Sequence, residues 1–401
     1  MSRKITDSPT FCPLMWLGAT RSNIGSYLPC CQYNDENLKY NRWSEQLSNN
    51  ISVFDDDRKQ LAEGLKPDGC RHCWHNESLG IESLRTEVMS MDWWRPHIDS
   101  INQNTQPNGS FNQDPVYIDL KLGNKCNLGC RMCSPEFSSV LAKEVEDNLS
   151  EFDHDLDQKN SLESIKQYHH TEDMDRVFDT IKKLDGLIRI QFTGGEPFLN
   201  KQLPDLLDHF IQTGKSKGII VTLTTNLTTL PNTLFDQLDH FRSFDINVSM
   251  EGIGTTYEYI RYPAKWEKFA TNFNKLQNTN VNIVVVYTGT ALSILGFPEW
   301  LDWIHQQDVS WNYNPVLHPQ YLRINNIPQP LKELLINDLE SQKKKYQNQH
   351  MIDGVINMLK TPMDREQWQI LIKDTSVKDR LRSQSIHRSV PKLAEFMAVD
   401  R

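Results

Sequence analysis

The last two thirds of this 401-residue chain contain no cysteine: all eight lie between Cys12 and Cys133. Scattered structural thiols would not leave so long a stretch empty, so the clustering itself points to ligands or catalysis. Long apolar runs are also missing. No segment approaches the roughly 18 apolar residues of a membrane-spanning helix, and "MSRKITDSPTFCPLMWLGATRS" lacks a run of signal-peptide length. A soluble, cytoplasmic protein without a membrane partner is expected. In that compartment thiols stay reduced, and grouped cysteines are more often metal ligands or catalytic groups than disulfides. Positive charge is scarce too. With 43 Lys and Arg against 52 Asp and Glu, the net charge of −9 argues against broad, phosphate-driven nucleic-acid binding. No internal repeat or low-complexity tract is evident.

What is present falls into three parts. Residues 1–113 are irregular and rich in Gly, Pro, Asn and Asp, with Cys30-Cys31, Cys70-x-x-Cys73 and one helix expected at "IESLRTEVMSMDWW". So thin a core needs something to tie it together. Residues 114–316 alternate β-rich runs with helical periodicity. The runs are "VYIDLKL" (116–122), "LIRIQF" (187–192), "IIVTLT" (219–224), "FDINVSM" (244–250), "VNIVVVY" (281–287) and "VSWNYN" (309–314). Six strands with intervening helices imply an α/β fold of parallel strands joined by right-handed crossovers. The polar connection 151–186 reads as a lengthened helix pair, with His169-His170 in it solvated. Residues 317–401 read as a helical C-terminal extension, broken near Pro362 and Pro391.

The loop "LKLGNKCNLGCRMCSPE" follows the first of the six strands and carries Cys126, Cys130 and Cys133. In parallel α/β folds chemistry collects at the C-terminal strand ends. Three thiolates can hold three irons of a four-iron cluster, whose usual complement is four, leaving one iron open to an outside ligand. Cys-x-x-Cys is equally a zinc half-site. The second strand ends in "FTGGEPFLN". There Gly194 and Gly195 allow close backbone approach, and Glu196, before Pro197, offers a carboxylate to an ammonium group.

Together, "CNLGCRMC" and "GGEP" resemble the radical S-adenosylmethionine (SAM) superfamily, over about residues 115–315. The resemblance implies a partial (β/α)6 TIM-like barrel and a [4Fe-4S] cluster on Cys126, Cys130 and Cys133. It implies SAM chelating the open iron, its ammonium received by the GGEP segment with Glu196 as acceptor. A reductant such as flavodoxin or ferredoxin would supply one electron. SAM would then yield methionine and a 5′-deoxyadenosyl radical for hydrogen abstraction. Thr225 or Asn226 after strand three and Ser249 after strand four could hold SAM, and Arg261 could pair with its carboxylate or a substrate acid. Each could equally be a turn or cap residue. Glu251 departs from the family's usual "S-x-D-G", which leaves its role open. Met132 can pack on adenine.

Upstream, Cys12, Gly25 and Cys30 form C-x12-G-x4-C, which resembles the hairpin opening the auxiliary-cluster SPASM and twitch domains of these enzymes. Gly25 supplies a turn with positive φ. Cys70 and Cys73 would complete a second, auxiliary [4Fe-4S] cluster, and Glu77, Gly80, Ser83 and Arg85 continue the twitch-like pattern. Here the set precedes the barrel, and five thiols supply one cluster, with Cys30 fitting the spacing better than Cys31. A four-cysteine zinc site would tie down the same segment. The expectation is a radical SAM enzyme on an unidentified peptide, protein or small-molecule substrate. The contrasting expectation is a non-catalytic, zinc-stabilised α/β binding protein. A winged-helix peptide-recognition segment is not seen, which lowers the case for a leader-peptide substrate.

Overall fold

The computed structural model describes residues 4–34, 52–78, 80, 82–168 and 174–399. His169-His170 lies outside the described residues.

All six β-rich runs become strands: β3 (Tyr117–Lys121), β4 (Arg189–Thr193), β5 (Ile220–Thr225), β6 (Ser243–Ser249), β7 (Asn282–Gly289) and β8 (Ser310–Pro315). Each pairs in parallel with the next, in the order β3-β4-β5-β6-β7-β8. Alternation along the strands decides which face meets what. Ile190, Phe192, Ile246 and Val248 are fully buried, in one core with Leu206 and Phe210 of helix Leu203–Gln212 and Phe269 and Phe273 of helix Trp266–Gln277. The intervening residues are polar. Gln191, Thr222, Asp245 and Asn282 stand in register across four strands. A sheet that is apolar toward its helices and polar on its concave face encloses a lumen suited to ligands.

Two strands that composition left irregular extend this sheet. β1 (Gly18–Arg21) runs parallel to β3, and β2 (Tyr27–Leu28) returns antiparallel to β1, making eight strands with β2 and β8 at the edges. Their shortness hides the period-2 signal. Gly25 turns between them at φ +83°. At Gly18 a Cβ would lie 2.5 Å from the Pro29 carbonyl oxygen, so only glycine lets the hairpin close on itself.

The 151–186 connection contains helices Leu156–Tyr168 and Met174–Lys182. The former packs with helix Ser139–Asp147 in a satellite core of Leu141, Val145, Phe152, Leu162 and Ile165. The C-terminal region is helical as expected: Gln329–Gln342, Gln349–Leu359, Arg365–Arg382 and Pro391–Val399. Pro391 begins the last helix, where its missing N–H is no loss. The helix expected at 81–94 is shorter, Leu84–Ser90, because Ser83 caps it and Met91 turns extended. Among the described residues, no helix is long and apolar enough to cross a membrane.

Candidate active site and a second thiol site

Strand β3 delivers the three-cysteine loop and β4 delivers GGEP to the same end of the sheet. The two are laced by backbone bonds: Gly195 N–H donates to Gly123 O (2.7 Å) and Glu196 N–H to Lys125 O (2.8 Å). A Cβ on Gly195 would lie 2.2 Å from the Lys125 carbonyl oxygen. Gly194 holds φ +106°, and a Cβ there would meet Gly123 O at 2.8 Å. The two glycines are therefore required by the approach of the cysteine loop.

Cys126, Cys130, Cys133, Met132, Gly194, Gly195, Thr225, Asn226, Ser249 and Arg261 all line one cavity of about 400 Å³. Leu128 N–H points at Cys126 Sγ (3.5 Å), and Asn226 Nδ2 reaches the same sulfur (3.8 Å). Arg261 Nη1 lies 3.8 Å from Cys130 Sγ. Burial pushes the Cys130 thiol up to about 12 against the pull of Arg261, and Cys126 and Cys133 are raised by the same cause. Donors aimed at sulfur, in a site too dry for free thiolates, suit thiols whose protons are displaced by bound iron.

Glu196 and Pro197 are buried and are not among the residues lining this cavity. Glu196 is 3% exposed. Its Oε1 accepts from Thr225 Oγ1 (2.7 Å) and Phe198 N–H (3.2 Å), and its Oε2 from Asn226 N–H (2.8 Å). Burial raises its pKa to about 7 despite those donors. Pro197, buried, opens the short turn that Glu196 caps. Thr225 and Asn226 thus meet Glu196 directly. Asn226 also donates to Asn127 Oδ1 (3.1 Å), tying strand β5 to the cysteine loop. Arg261 faces inward with Glu251: Nη2 to Oε1 is 2.6 Å and Nε to Oε2 is 2.5 Å, both side chains buried. The longer acid at 251 is the partner that orients Arg261.

Sequence reasoning missed the far side of the loop. Arg131, 1% exposed, donates to Asp379 Oδ1 (2.5 Å), Gln384 Oε1 (3.0 Å) and Tyr259 O (3.1 Å). Arg382 grips Glu144 with two bonds of 2.7 and 2.8 Å. Helix Arg365–Arg382 therefore buttresses the cysteine loop from behind. Arg131, a charge between two cysteines, was the one visible signal; its side-chain partners Asp379 and Gln384 stand about 250 residues away.

The upstream set forms a second site. Cys12, Cys30, Cys70 and Cys73 line one small apolar space with Leu14, Met15, Tyr33 and Leu61, and Cys31 is absent from its walls. Cys31 instead meets Asp119 on β3. Burial pushes Cys12 up to about 12, with the neighbouring Cys73 adding to it. Helix Arg71–Ser78 carries Cys73 and also Glu77. Glu77 accepts from Arg85 at 2.7 and 2.9 Å and from Ser83 Oγ at 2.7 Å. Arg85 in turn reaches Phe11 O (3.2 Å), beside Cys12, and stacks over Trp74. Gly80, φ +71°, makes the turn that brings Ser83 and Arg85 back. Among the described residues, no three His, Cys, Asp or Glu side chains are grouped as for a single metal ion. In a four-iron cluster each thiolate binds its own iron.

The family model described as "Radical SAM superfamily" matches residues 120–302. Over 189 residues the chain is 30% identical to a GTP 3',8-cyclase of Syntrophomonas wolfei, covering 46% of this chain and 50% of that protein. Over 178 residues it is 25% identical to molybdenum cofactor biosynthesis protein 1 of Dictyostelium discoideum, covering 44% of this chain and 24% of that protein. The chain thus spans half or less of the curated relatives it matches. Among solved structures, "Native anSMEcpe with bound AdoMet" overlaps 58% of this chain and 61% of that one, at TM-score 0.40 and 16% identity. The three-cysteine loop and GGEP both fall inside the span that the radical SAM family model matches.

Proposed function

We propose that the chain is a radical SAM enzyme: Cys126, Cys130 and Cys133 hold a [4Fe-4S] cluster, SAM completes it, and a substrate hydrogen is abstracted. The observation carrying this reading is the convergence of three thiols, two close-packed glycines and Arg261 on one cavity. The cluster and SAM, when bound, supply one-electron cleavage of the sulfonium to a 5′-deoxyadenosyl radical. The chain's own residues do the rest. Asn226 and Arg261 set donors against Cys126 and Cys130. Glu196, filled by Thr225 and Asn226, locks the ends of β4 and β5 together. With its side chain so occupied, the backbone of Gly194 and Gly195 is the part of GGEP that lines the cavity for an ammonium group. Ser249 supplies a hydroxyl at the end of β6, and Met132 an apolar wall.

Cys12, Cys30, Cys70 and Cys73 are assigned to an auxiliary [4Fe-4S] cluster. Support comes from the four-thiol donor set converging in an apolar space, with Cys31 outside it. A reductant delivers the electron, and the peptide, protein or small-molecule substrate is taken up next.

Anaerobic reconstitution should give about eight irons with matching sulfide, from two four-iron clusters. Reduced protein should convert SAM to 5′-deoxyadenosine. Cleavage that survives simultaneous replacement of Cys126, Cys130 and Cys133 by alanine would sink the assignment, and one or two zincs without sulfide would support the binding-protein reading.

A further inference from the structure

A second cavity, about 510 Å³, occupies the lumen of the sheet. It shares Thr224 with the walls of the radical site, and Gln32 and Leu84 with the walls of the upstream thiol site. It therefore lies between the two centres, bounded on one side by helix Gln349–Leu359 through Met351 and Met358.

Its charges are unequal. The ionisable acids among its described walls are Glu82, Glu87 and Asp245, against a single Arg189 and the imidazole of His350. Arg189 is already engaged, 3.2 Å from Asp245 Oδ2 and donating to Thr222 Oγ1 at 2.8 Å. Asp245 is filled as well, its Oδ1 accepting from Asn282 (2.9 Å) and Ser243 (2.9 Å). Glu82 and Glu87 form no ion pair among the described residues; burial raises the pKa of Glu87, with the neighbouring Glu82 adding to it and Arg189 opposing it. The wall also holds an orphaned acceptor: Asn76, 8% exposed, has an Oδ1 with no hydrogen-bond donor among the described residues. A buried acceptor without a donor costs stability until a ligand supplies one.

We infer that this lumen is the substrate site and takes an organic cation, an alkylammonium or guanidinium group, with Glu82, Glu87 and Asn76 Oδ1 as its acceptors. The inference rests on the radical reading for what happens to the substrate; the charge complementarity stands apart from it. It also separates this chain from the GTP cyclase it partly resembles. A nucleoside triphosphate brings several negative charges and needs uncommitted arginines or lysines, whereas these walls offer one arginine, already paired. Free amines and the basic side chains of peptides present the same cationic chemistry.

The test titrates cadaverine, agmatine, an end-blocked lysine-containing hexapeptide and GTP calorimetrically into cluster-reconstituted full-length protein with SAM. At least one cation is expected to bind, and Glu82→Gln with Glu87→Gln to weaken it about 10-fold, as loss of two partly exposed charge contacts implies. Asn76→Asp should strengthen it, a gain that misfolding cannot mimic. Preference for the diamine or for the hexapeptide identifies the source, and either supports the inference. GTP binding more tightly than every cation, no cation binding, or cation affinity unmoved by the glutamine substitutions overturns it. Cleavage of SAM is read separately. Cation binding without cleavage would support the cavity assignment and reject the radical reading.

Discussion

The two thiol sites contrast in room and in the chemistry of their walls. Three cysteines after β3 open onto a cavity of about 400 Å³ with polar walls from four further strands, β4 to β7. The four upstream cysteines face a narrow space walled by leucine, methionine and tyrosine. Three ligands with space beside them can admit a second molecule; four ligands with no space hold their contents closed. Under the proposed reading, the same group, a thiolate, serves reaction in one place and containment or electron storage in the other.

The largest effect that would break this contrast concerns cleavage. Cys126→Ala, Cys130→Ala or Cys133→Ala should each reduce 5′-deoxyadenosine formation to background. Cys70→Ala with Cys73→Ala should remove about four irons of about eight while SAM cleavage in the absence of substrate persists. Equal loss of cleavage in both sets, assayed on folded protein, would erase the distinction.

Next in size is the support behind the reactive loop. Arg131→Met leaves Asp379 without its nearly buried partner, a change costing about 3 kcal/mol where one member of a buried pair is removed. A lower melting temperature and a higher KM for SAM are expected, with the upstream cluster's spectrum unchanged. An unaltered KM would show that helix Arg365–Arg382 supports the fold and leaves the site alone.

The smallest effect is in pH, and its sign differs between the two regions. Burial raises Glu196 to about 7, above its unfolded value near 4.5. Between those values the folded state retains a proton that the unfolded state has lost, so stability falls as pH rises through that window. Burial also acts to raise Glu77, but hydrogen bonds from Arg85 and Ser83 outweigh it and leave its pKa lowered. Its contribution is present above the unfolded value and lost as pH falls through the folded one. In urea melts of the metal-free protein across pH, Glu196→Gln should flatten the first slope and Glu77→Gln the second. Identical slopes in both variants and the parent would contradict the assignment.

Much of this was legible in the sequence because the signals are local. Six strands announce themselves by apolar β-branched runs, and CNLGCRMC and GGEP are short, fixed-spacing patterns next to strand ends. The upstream hairpin was legible only through Cys12, Gly25 and Cys30, since four- and two-residue strands carry almost no periodicity. That it extends the main sheet depends on β1 pairing with β3 across about a hundred residues. Glu196 illustrates the other limit. Its residue type suggested a carboxylate waiting for an ammonium, and its partners Thr225 and Asn226, 29 and 30 residues away, show it already bonded. Arg131 and Asp379, or Arg261 and Glu251, are pairs whose meaning exists only once the chain has folded.

The most direct measurement is the electron paramagnetic resonance of reduced Cys70→Ala, Cys73→Ala protein, in which only the three-cysteine cluster remains. Adding SAM should shift the signal's g values, because the open iron gains a ligand. A spectrum indifferent to SAM would contradict the central claim that the missing fourth ligand at Cys126, Cys130 and Cys133 is the cofactor itself.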